Sequence, residues 1–323
     1  MKYIVTGAAG LIGSGIVWGL NQRGEEDILA VDHLGLSDKW KNLRALKYAD
    51  YLEKDMLLED LDNLAGDTKV IIHMGACSAT TERDASYLIE NNFEYTKQLA
   101  MFAAERNIRF IYASSCATYG DGTFGYNDNE NELDKLRPMN MYGYSKHMFD
   151  LWATRQGLLS QITGVKFSNV YGSNEHHKGE MRSVVRRAFE QISETGELKL
   201  FKSYRPEYAD GEQKRDFLYI KDAVDMVLFL MDHPGGAGIY NIGSGRAETW
   251  NSLAAAAFAA LDREVKIKYI EMPDHLKDRY QYYTKAEMNK LRNLGYDREI
   301  TSLHDAIDDY IRNYSAQDKL LGD

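Results

Sequence analysis

Tyr142 and Lys146 are the residues whose types and spacing most directly suggest chemistry, within the run M-Y-G-Y-S-K-H-M that follows Pro138. If a helix begins here, a spacing of four residues puts the phenol and the ammonium on one face. An adjacent ammonium favours the phenolate and lowers the pKa of a tyrosine from about 10 toward neutrality, where the phenol exchanges a proton with a sugar hydroxyl. The pair is therefore a candidate general acid/base. The same spacing also fits an ordinary amphipathic helix, so the rest of the sequence has to decide.

The elements at the start of the chain are a predicted strand (K-Y-I-V-T), a glycine-rich turn (G-A-A-G-L-I-G) and an apolar helix. In this order they predict a dinucleotide site. Gly7 permits the tight turn, Gly10 lets the backbone approach a pyrophosphate, and Gly13 allows helix and strand to pack closely. The next predicted strand, Asp27 to Val31, ends at Asp32, where a carboxylate takes the ribose hydroxyls.

The polar stretch from His33 to Lys54 leaves the choice of cofactor open. It carries the basic residues Lys39, Lys41, Arg44, Lys47 and Lys54. These residues form either a solvated face or a site for a 2′-phosphate, which Asp32 alone would repel. Charge by itself does not separate NAD from NADP.

Two further strands are predicted to bring small and polar residues to the same crevice. The apolar run from Lys69 to His73 has the composition of a strand buried on both faces, and Gly75 to Ser78 follow it as a predicted cofactor wall. Within that wall, Cys77 is interpreted as a small packing residue. A predicted helix from Tyr87 to Arg106 carries Asn91 toward the crevice. A strand from Arg109 then ends in the hydroxyls of Ser114 and Ser115, which either cap a turn or meet the reacting sugar oxygen.

Taken together, these runs resemble the extended short-chain dehydrogenase/reductase superfamily of sugar-nucleotide epimerases and dehydratases. The resemblance rests on G-x-x-G-x-x-G, Asp32, S-S-x-x-T-Y-G and Y-x-x-x-K, and extends to R-D-F-L-Y-I-K-D-A and Y-N-I-G-S-G further along the chain. It implies a Rossmann fold and makes Ser115 the catalytic hydroxyl. Dehydratases of the superfamily usually carry T-D-E where this chain has Ser115, Cys116 and Ala117, which favours epimerisation over elimination.

Three runs are similar to the ADP-glyceromanno-heptose 6-epimerases within that superfamily: N-V-Y-G followed by H-K-G-x-M, G-A-C-S-x-T-T-E, and P-D-x-L-K-x-R-Y-Q. This resemblance implies an ADP-heptose substrate, a tightly bound NADP with NAD as the alternative, and transient oxidation at C6 to a ketone. It implies Tyr142 and Lys178 as the acid/base pair, with Lys146 lowering the tyrosine pKa and Ser115 polarising the oxygen. Lys178 is then expected to be partly desolvated, because burial lowers a lysine pKa.

The same residue-by-residue matching implies the remaining contacts. The cofactor set is Gly7, Gly10, Leu11, Ile12, Gly13, Asp32, His33, Lys39, Lys54, Gly75, Ala76, Cys77, Ser78, Asn91, Tyr142, Lys146, Val170 and Lys178. The substrate set is Ser115, Asn169, Glu180, Arg187, Phe201, Lys202, Ser203, Tyr204, Arg215 and Tyr280. The chain departs from the family pattern at His33, where asparagine is expected, at Ser173 and Asn174 in place of proline and arginine, and in a charged insertion at 205–213.

Composition limits the possible partners. The chain has 323 residues and a formal net charge of -10, which gives no basic surface for nucleic acid or an anionic membrane. Two cysteines indicate reduced thiols, no metal-ligand spacing is present, and no apolar run approaches the length of a membrane span. We therefore expect a cytoplasmic protein with no metal, and the family resemblance implies a homo-oligomer.

The expected fold is α/β, a doubly wound parallel sheet with a second, smaller α/β substrate domain. Residues 1–170, with a returning segment 215–245, would form the nucleotide-binding domain, and 171–214 with 246–323 mostly the substrate domain. The alternative functions are a UDP-hexose 4-epimerase or related reductase, and a non-enzymatic cofactor sensor.

Overall fold

The computed structural model describes residues 1–64, 66–277 and 280–323. Its strands are β1 (Tyr3–Thr6), β2 (Ile28–Asp32), β3 (Asp50–Glu53), β4 (Val70–His73), β5 (Arg109–Ser115), β6 (Thr163–Phe167), β7 (Asn169–Tyr171), β8 (Leu198–Phe201), β9 (Lys214–Arg215), β10 (Phe217–Tyr219), β11 (Gly238–Ile242), β12 (Glu248–Thr249) and β13 (Ile267–Ile270).

The α-helices are α1 (Leu11–Gln22), α2 (Lys54–Leu64), α3 (Ala85–Leu88), α4 (Tyr95–Glu105), α5 (Met141–Arg155), α6 (Val184–Thr195), α7 (Ile220–Asp232), α8 (Trp250–Ala260), α9 (Asp274–Lys277), α10 (Asn289–Asn293) and α11 (Leu303–Asp309). Short 3₁₀ segments include Asp38–Leu43, Cys116–Tyr119 and His176–Met181, and π-helical turns cover Ile89–Glu94 and Tyr310–Tyr314. None of the helices in the described part of the chain combines the length and apolarity needed to cross a membrane.

The central sheet has, among the described residues, seven strands in the order β11-β6-β5-β4-β1-β2-β3, and each neighbouring pair is parallel. Both faces of this sheet are covered. Along β1, Tyr3 and Val5 join one apolar cluster with residues of α1 and α7, whereas Ile4 joins another with residues of α2, α4 and α5. Because successive side chains of a strand point to opposite faces, helices lie on both sides. The expected doubly wound α/β fold is confirmed.

The apolar run G-V-K-F-S-N-V predicts one strand from Gly164 to Val170. That prediction is wrong, because the chain changes partners at Ser168. Up to Phe167 it pairs with β5 and β11 in the central sheet; from Asn169 it pairs with β10. The Ser168 amide donates to the Ile242 carbonyl at 2.9 Å, and the Asn169 amide to the Asp216 carbonyl at 3.1 Å. The chain therefore bends at the edge of the sheet where the site lies.

Outside the central sheet, short strand pairs build a smaller α/β region. β8 pairs in parallel with β13, and β9 pairs in antiparallel fashion with β12. The chain between β9 and β12 returns to the central sheet, where the edge strand β11 pairs with β6. The smaller region is therefore connected to the central sheet at the edge formed by β11.

Candidate active site

A cavity of about 640 Å³ lies at the carboxyl ends of the central strands, where open α/β sheets bind ligands. Residues that follow β1, β2, β4 and β5 meet there, together with the start of α5 and the 3₁₀ segment 176–181. The predicted cofactor residues that line it are Gly7, Gly10, Leu11, Ile12, Gly13, Asp32, His33, Lys39, Lys54, Gly75, Ala76, Cys77, Ser78, Asn91, Tyr142, Lys146, Val170 and Lys178. The whole predicted cofactor set therefore lies around one space.

The glycine-rich turn has the shape that a dinucleotide requires. A Cβ on Gly13 would lie 2.0 Å from the Gly7 carbonyl oxygen, so only glycine allows this contact between helix and turn. Gly10 is the N-cap of α1, and no side chain caps the helix. The first N–H groups of α1 are thus available to phosphate oxygens, and the helix dipole favours negative charge there. The turn fits a pyrophosphate.

Asp32, at the end of β2, is 6% exposed and holds three donors. Its carboxylate accepts from the Ala9 amide at 2.8 Å and the His33 amide at 2.7 Å, and Lys39 lies 2.6 Å from Oδ1. The Ala9 amide fixes the carboxylate against the glycine-rich turn, and Lys39 balances its charge. The ribose end of the cavity therefore pairs a carboxylate with an ammonium.

Asn140 begins the helix that carries the candidate acid/base, because its side chain caps α5 by accepting from the Gly143 amide at 2.8 Å. Gly143 brings the helix against the turn after β5, since a Cβ there would lie 2.8 Å from the Ala117 carbonyl oxygen. That close contact places Tyr142 beside Ser115, and both residues line the cavity. The helix on which the spacing argument for Tyr142 and Lys146 depends is therefore present.

The expected lowering of the Tyr142 pKa by Lys146 is not seen. Burial raises the pKa of Tyr142, and interaction with the Ser115 hydroxyl opposes this rise. Lys146 is 3% exposed, burial lowers its pKa to about 8, and its Nζ has no hydrogen-bond partner among the described residues. Desolvation therefore acts on both members of the pair. The unpaired ammonium, which lines the cavity, has donors to offer to ribose hydroxyls.

Lys178 lies on the 3₁₀ segment 176–181 and lines the same cavity as Tyr142. Burial lowers the pKa of Lys178, while the charge of Glu175 opposes this effect. The desolvation expected for this lysine is therefore present. A lysine with a lowered pKa exchanges protons closer to neutrality than an exposed one does.

A second cavity of about 340 Å³ adjoins the first, and Ser115, Tyr142, Phe167, Ser168 and Asn169 line both. The predicted substrate residues Ser115, Asn169, Arg215 and Tyr280 lie here. The Arg215 guanidinium carbon is 5.0 Å from the centroid of the Tyr280 ring and 5.7 Å from that of Trp250. Trp250 Nε1 donates to the Tyr280 hydroxyl at 2.8 Å, so the two rings hold each other and the arginine in place.

The other predicted substrate residues do not line these two cavities: Glu180, Arg187, Phe201, Lys202, Ser203 and Tyr204. Arg187 donates to the Glu180 carbonyl, Lys202 pairs with Glu271 at 2.6 Å, and the Tyr204 hydroxyl donates to the same carboxylate. These side chains contact other parts of the protein, and their contact with substrate stays a prediction. In the run P-D-x-L-K-x-R-Y-Q, which covers 273–281, residues 278 and 279 lie outside the described part of the chain.

Asp216 and Trp250 were missed by the analysis of the sequence. Asp216 is fully buried, lines the second cavity, and accepts from the Ser244 amide at 2.7 Å and the Ala286 amide at 2.9 Å. It thus joins three segments around the cavity. Its position directly after Arg215 was the available signal. For Trp250, which touches Arg215 from 35 positions away, the sequence offers none.

Comparison with known proteins agrees with this geometry. Residues 3–243 match the NAD dependent epimerase/dehydratase family. The ADP-L-glycero-D-manno-heptose-6-epimerase of Nitratidesulfovibrio vulgaris (strain DP4) is 51% identical over 316 residues, covering 97% of this chain and 98% of that protein. The protein of the same name from Fusobacterium nucleatum is 51% identical over 326 residues, covering 98% of each chain.

Solved structures show the same fold. The ADP-L-glycero-D-manno-heptose-6-epimerase of Helicobacter pylori superposes with a TM-score of 0.81 at 25% identity and covers 97% of this chain and 95% of its own. The UDP-glucuronic acid 4-epimerase of Bacillus cereus, in complex with UDP-glucuronic acid and NAD, has a TM-score of 0.78 at 23% identity over 97% of this chain and 99% of its own. The chain belongs to the NAD dependent epimerase/dehydratase family.

Proposed function

We propose that this protein converts ADP-D-glycero-β-D-manno-heptose to ADP-L-glycero-β-D-manno-heptose by inverting the configuration at C6. The observation that carries the proposal is the pairing of Tyr142 and Lys178 around one cavity. Burial raises the pKa of Tyr142 and lowers the pKa of Lys178, because desolvation disfavours the charged form of each side chain. Relatives about half identical over nearly the whole chain, named for this activity, support the same substrate.

Each residue of the site has a separate role in this reaction. The chemistry that NADP⁺ supplies when bound is removal and return of a hydride at C6. Tyr142 or Lys178 takes the proton of the C6 hydroxyl as the hydride leaves, and the other gives a proton to the oxygen when the hydride returns to the opposite face. Ser115 hydrogen-bonds the same oxygen, and Lys146 holds the nicotinamide ribose. Two acid/base groups are needed because the oxygen occupies a different position in each half of the reaction.

NADP is the cofactor that the ribose end favours. Lys39 balances the Asp32 carboxylate at 2.6 Å, which removes the repulsion that a 2′-phosphate would otherwise meet. Lys54, which pairs with Asp55 at 2.7 Å, lines the same cavity. Mass spectrometry of the nucleotide released from the purified protein tests this directly. Recovery of NAD in place of NADP would reject the assignment.

Arg215 is the proposed partner of the substrate diphosphate. It is 7% exposed, lines the second cavity and is held between two aromatic rings, so its fork of donors is already ordered. The heptose then lies between this arginine and the cofactor cavity, beside Ser115 and Tyr142, which line both spaces.

Product analysis with ADP-heptose and UDP-galactose separates this function from a 4-epimerase. We expect turnover of the ADP sugar, and turnover of the UDP sugar alone would refute the proposal. Tyr142→Phe and Lys178→Met together should abolish epimerisation. Tyr144→Phe is the matched control, since Tyr144 lies on the same helix with 46% of its surface exposed. Unchanged activity in the double variant would contradict the assigned roles.

The proposal includes a cytoplasmic homo-oligomer and the division of the chain expected from its sequence. The nucleotide-binding domain comprises 1–170 with 215–245, which carries β11 back to the central sheet. Residues 171–214 and 246–323 form most of the substrate domain. Light scattering on the purified protein measures the subunit number, and a monomeric mass would refute the oligomer.

A further inference from the structure

A fully buried ion pair lies beneath the candidate active site. Lys166 Nζ and Asp150 Oδ2 are 3.0 Å apart, and neither side chain is exposed. Asp150 also accepts from the Tyr112 hydroxyl at 3.0 Å and the Ser114 hydroxyl at 2.7 Å, while Lys166 donates to Thr118 Oγ1 at 2.7 Å. The pair is thus held by hydroxyl groups on both sides.

This pair joins α5 and β5, which carry Tyr142, Lys146 and Ser115, to the neighbouring strand β6. Asp150 lies on α5, one helical turn after Lys146; Ser114 precedes Ser115 at the end of β5; Lys166 lies on β6, just before the bend at Ser168. Burying two charges is costly, and apolar replacements of such pairs are often as stable or more so. Stability alone therefore does not account for a charged pair at this position.

The second observation concerns Lys146, whose buried Nζ lacks a hydrogen-bond partner among the described residues. The charges of two titratable groups raise the pKa of Lys146: Asp150 on its own helix and Cys77 after β4. The charge of Lys146 in turn lowers the pKa of His73 at the end of β4. Burial lowers the pKa of Lys146 to about 8, and Asp150 makes the largest contribution in the opposite direction. His73 is neutral near pH 7, because burial lowers its pKa to about 3.

We propose that the Asp150–Lys166 pair is a positioning unit of the active site, which fastens α5 to β5 and β6 and whose carboxylate keeps Lys146 in the ammonium form. Neither residue touches the cavity that holds the reacting groups; both act through Lys146 and the strand ends. The inference rests on the proposed function, because a charged Lys146 matters for binding the nicotinamide ribose.

The test measures the titration of Lys146 itself by NMR of protein labelled with ¹³Cε-lysine, the signal being assigned by its loss in Lys146→Met. Asp150→Asn removes the carboxylate charge, and Asp150→Asn with Lys166→Met removes the pair without leaving a lone buried cation. We expect Lys146 to titrate about one pH unit lower in both variants. Tyr112→Phe is the matched control, because it removes one hydrogen bond to Asp150 and leaves the charge.

The same variants are then assayed for ADP-heptose epimerisation across pH. The alkaline limb of the pH–kcat profile should move to lower pH together with the Lys146 titration, so that kcat at a pH on that limb falls about tenfold. Tyr112→Phe should keep the alkaline limb of the unmodified protein. An unchanged Lys146 titration in the single and double variants would overturn the proposal; where the single variant does not fold, the double variant decides. If the unmodified protein turns over no ADP-heptose, the proposed function fails, whereas the NMR titration still judges the ion pair.

Discussion

Replacing Lys39 with methionine should change the choice between the two nicotinamide cofactors. Lys39 Nζ lies 2.6 Å from Asp32 Oδ1, and the two side chains are 21% and 7% exposed, so this contact is only partly screened by water. Without the ammonium, the carboxylate stays fixed by the Ala9 and His33 amides and faces a 2′-phosphate uncompensated. A lost charge-assisted hydrogen bond is worth about 2 kcal/mol, or roughly 30-fold in the Kd of NADP⁺.

The affinity for NAD⁺ should change much less, because a free carboxylate accepts hydrogen bonds from ribose hydroxyls. Isothermal titration calorimetry of both cofactors measures the two dissociation constants. Lys41→Met is the matched control: Lys41 lies on the same 3₁₀ segment, pairs with Asp38 at 2.9 Å and does not line the cavity. Equal weakening of both cofactors, or the same loss in the control, would refute the reasoning.

Three other outcomes are expected. Gly13→Ala places a Cβ 2.0 Å from the Gly7 carbonyl oxygen and should cost about 1–3 kcal/mol of stability and weaken cofactor binding, whereas Gly66→Ala, with no atom within 4 Å, should do neither in thermal melts. Burial lowers the His73 pKa to about 3, so below about pH 6.5 the unfolded state binds a proton that the folded state excludes. Urea unfolding should therefore show that the free energy of unfolding falls by about 2 kcal/mol between pH 7 and 5 because of this group. The fall should be absent in His73→Gln. Arg215→Leu should raise KM for ADP-heptose at least about tenfold with the cofactor Kd unchanged; a weakened cofactor Kd would contradict its placement in the substrate cavity.

Much of the nucleotide half was predictable because its signals are local. A glycine-rich turn after a strand, an acid at the end of the next strand and small residues after β4 all lie at the carboxyl ends of parallel strands. That shared edge is a property of the sheet, so Asp32, Gly75 and Lys146 meet around one cavity although they are far apart in the chain. The strand from Gly164 was misjudged because its change of partner at Ser168 depends on residues 216 and 242.

The substrate half was less predictable, since its contacts join segments with no fixed spacing. Arg215 is held by aromatic rings that lie 35 and 65 positions further along, and the charged insertion at 205–213 separates it from Phe201 to Tyr204. Motif matching assigned Tyr204 to the substrate, yet its hydroxyl donates to Glu271 and 40% of its surface is exposed. Its contact with substrate therefore stays a prediction.

The sequence by itself determined the type of fold and the cofactor edge, because periodicity and short motifs encode local structure, and its family resemblance supplied the acid/base candidates. Only the tertiary structure decided the environment of those groups. Spacing predicted that Lys146 would lower the pKa of Tyr142, but desolvation raises it, and no local pattern reports how deeply a helix is buried. Likewise, Asp150 and Lys166 are ordinary charges in the sequence; the order of β5 and β6 beneath α5 makes them one buried pair.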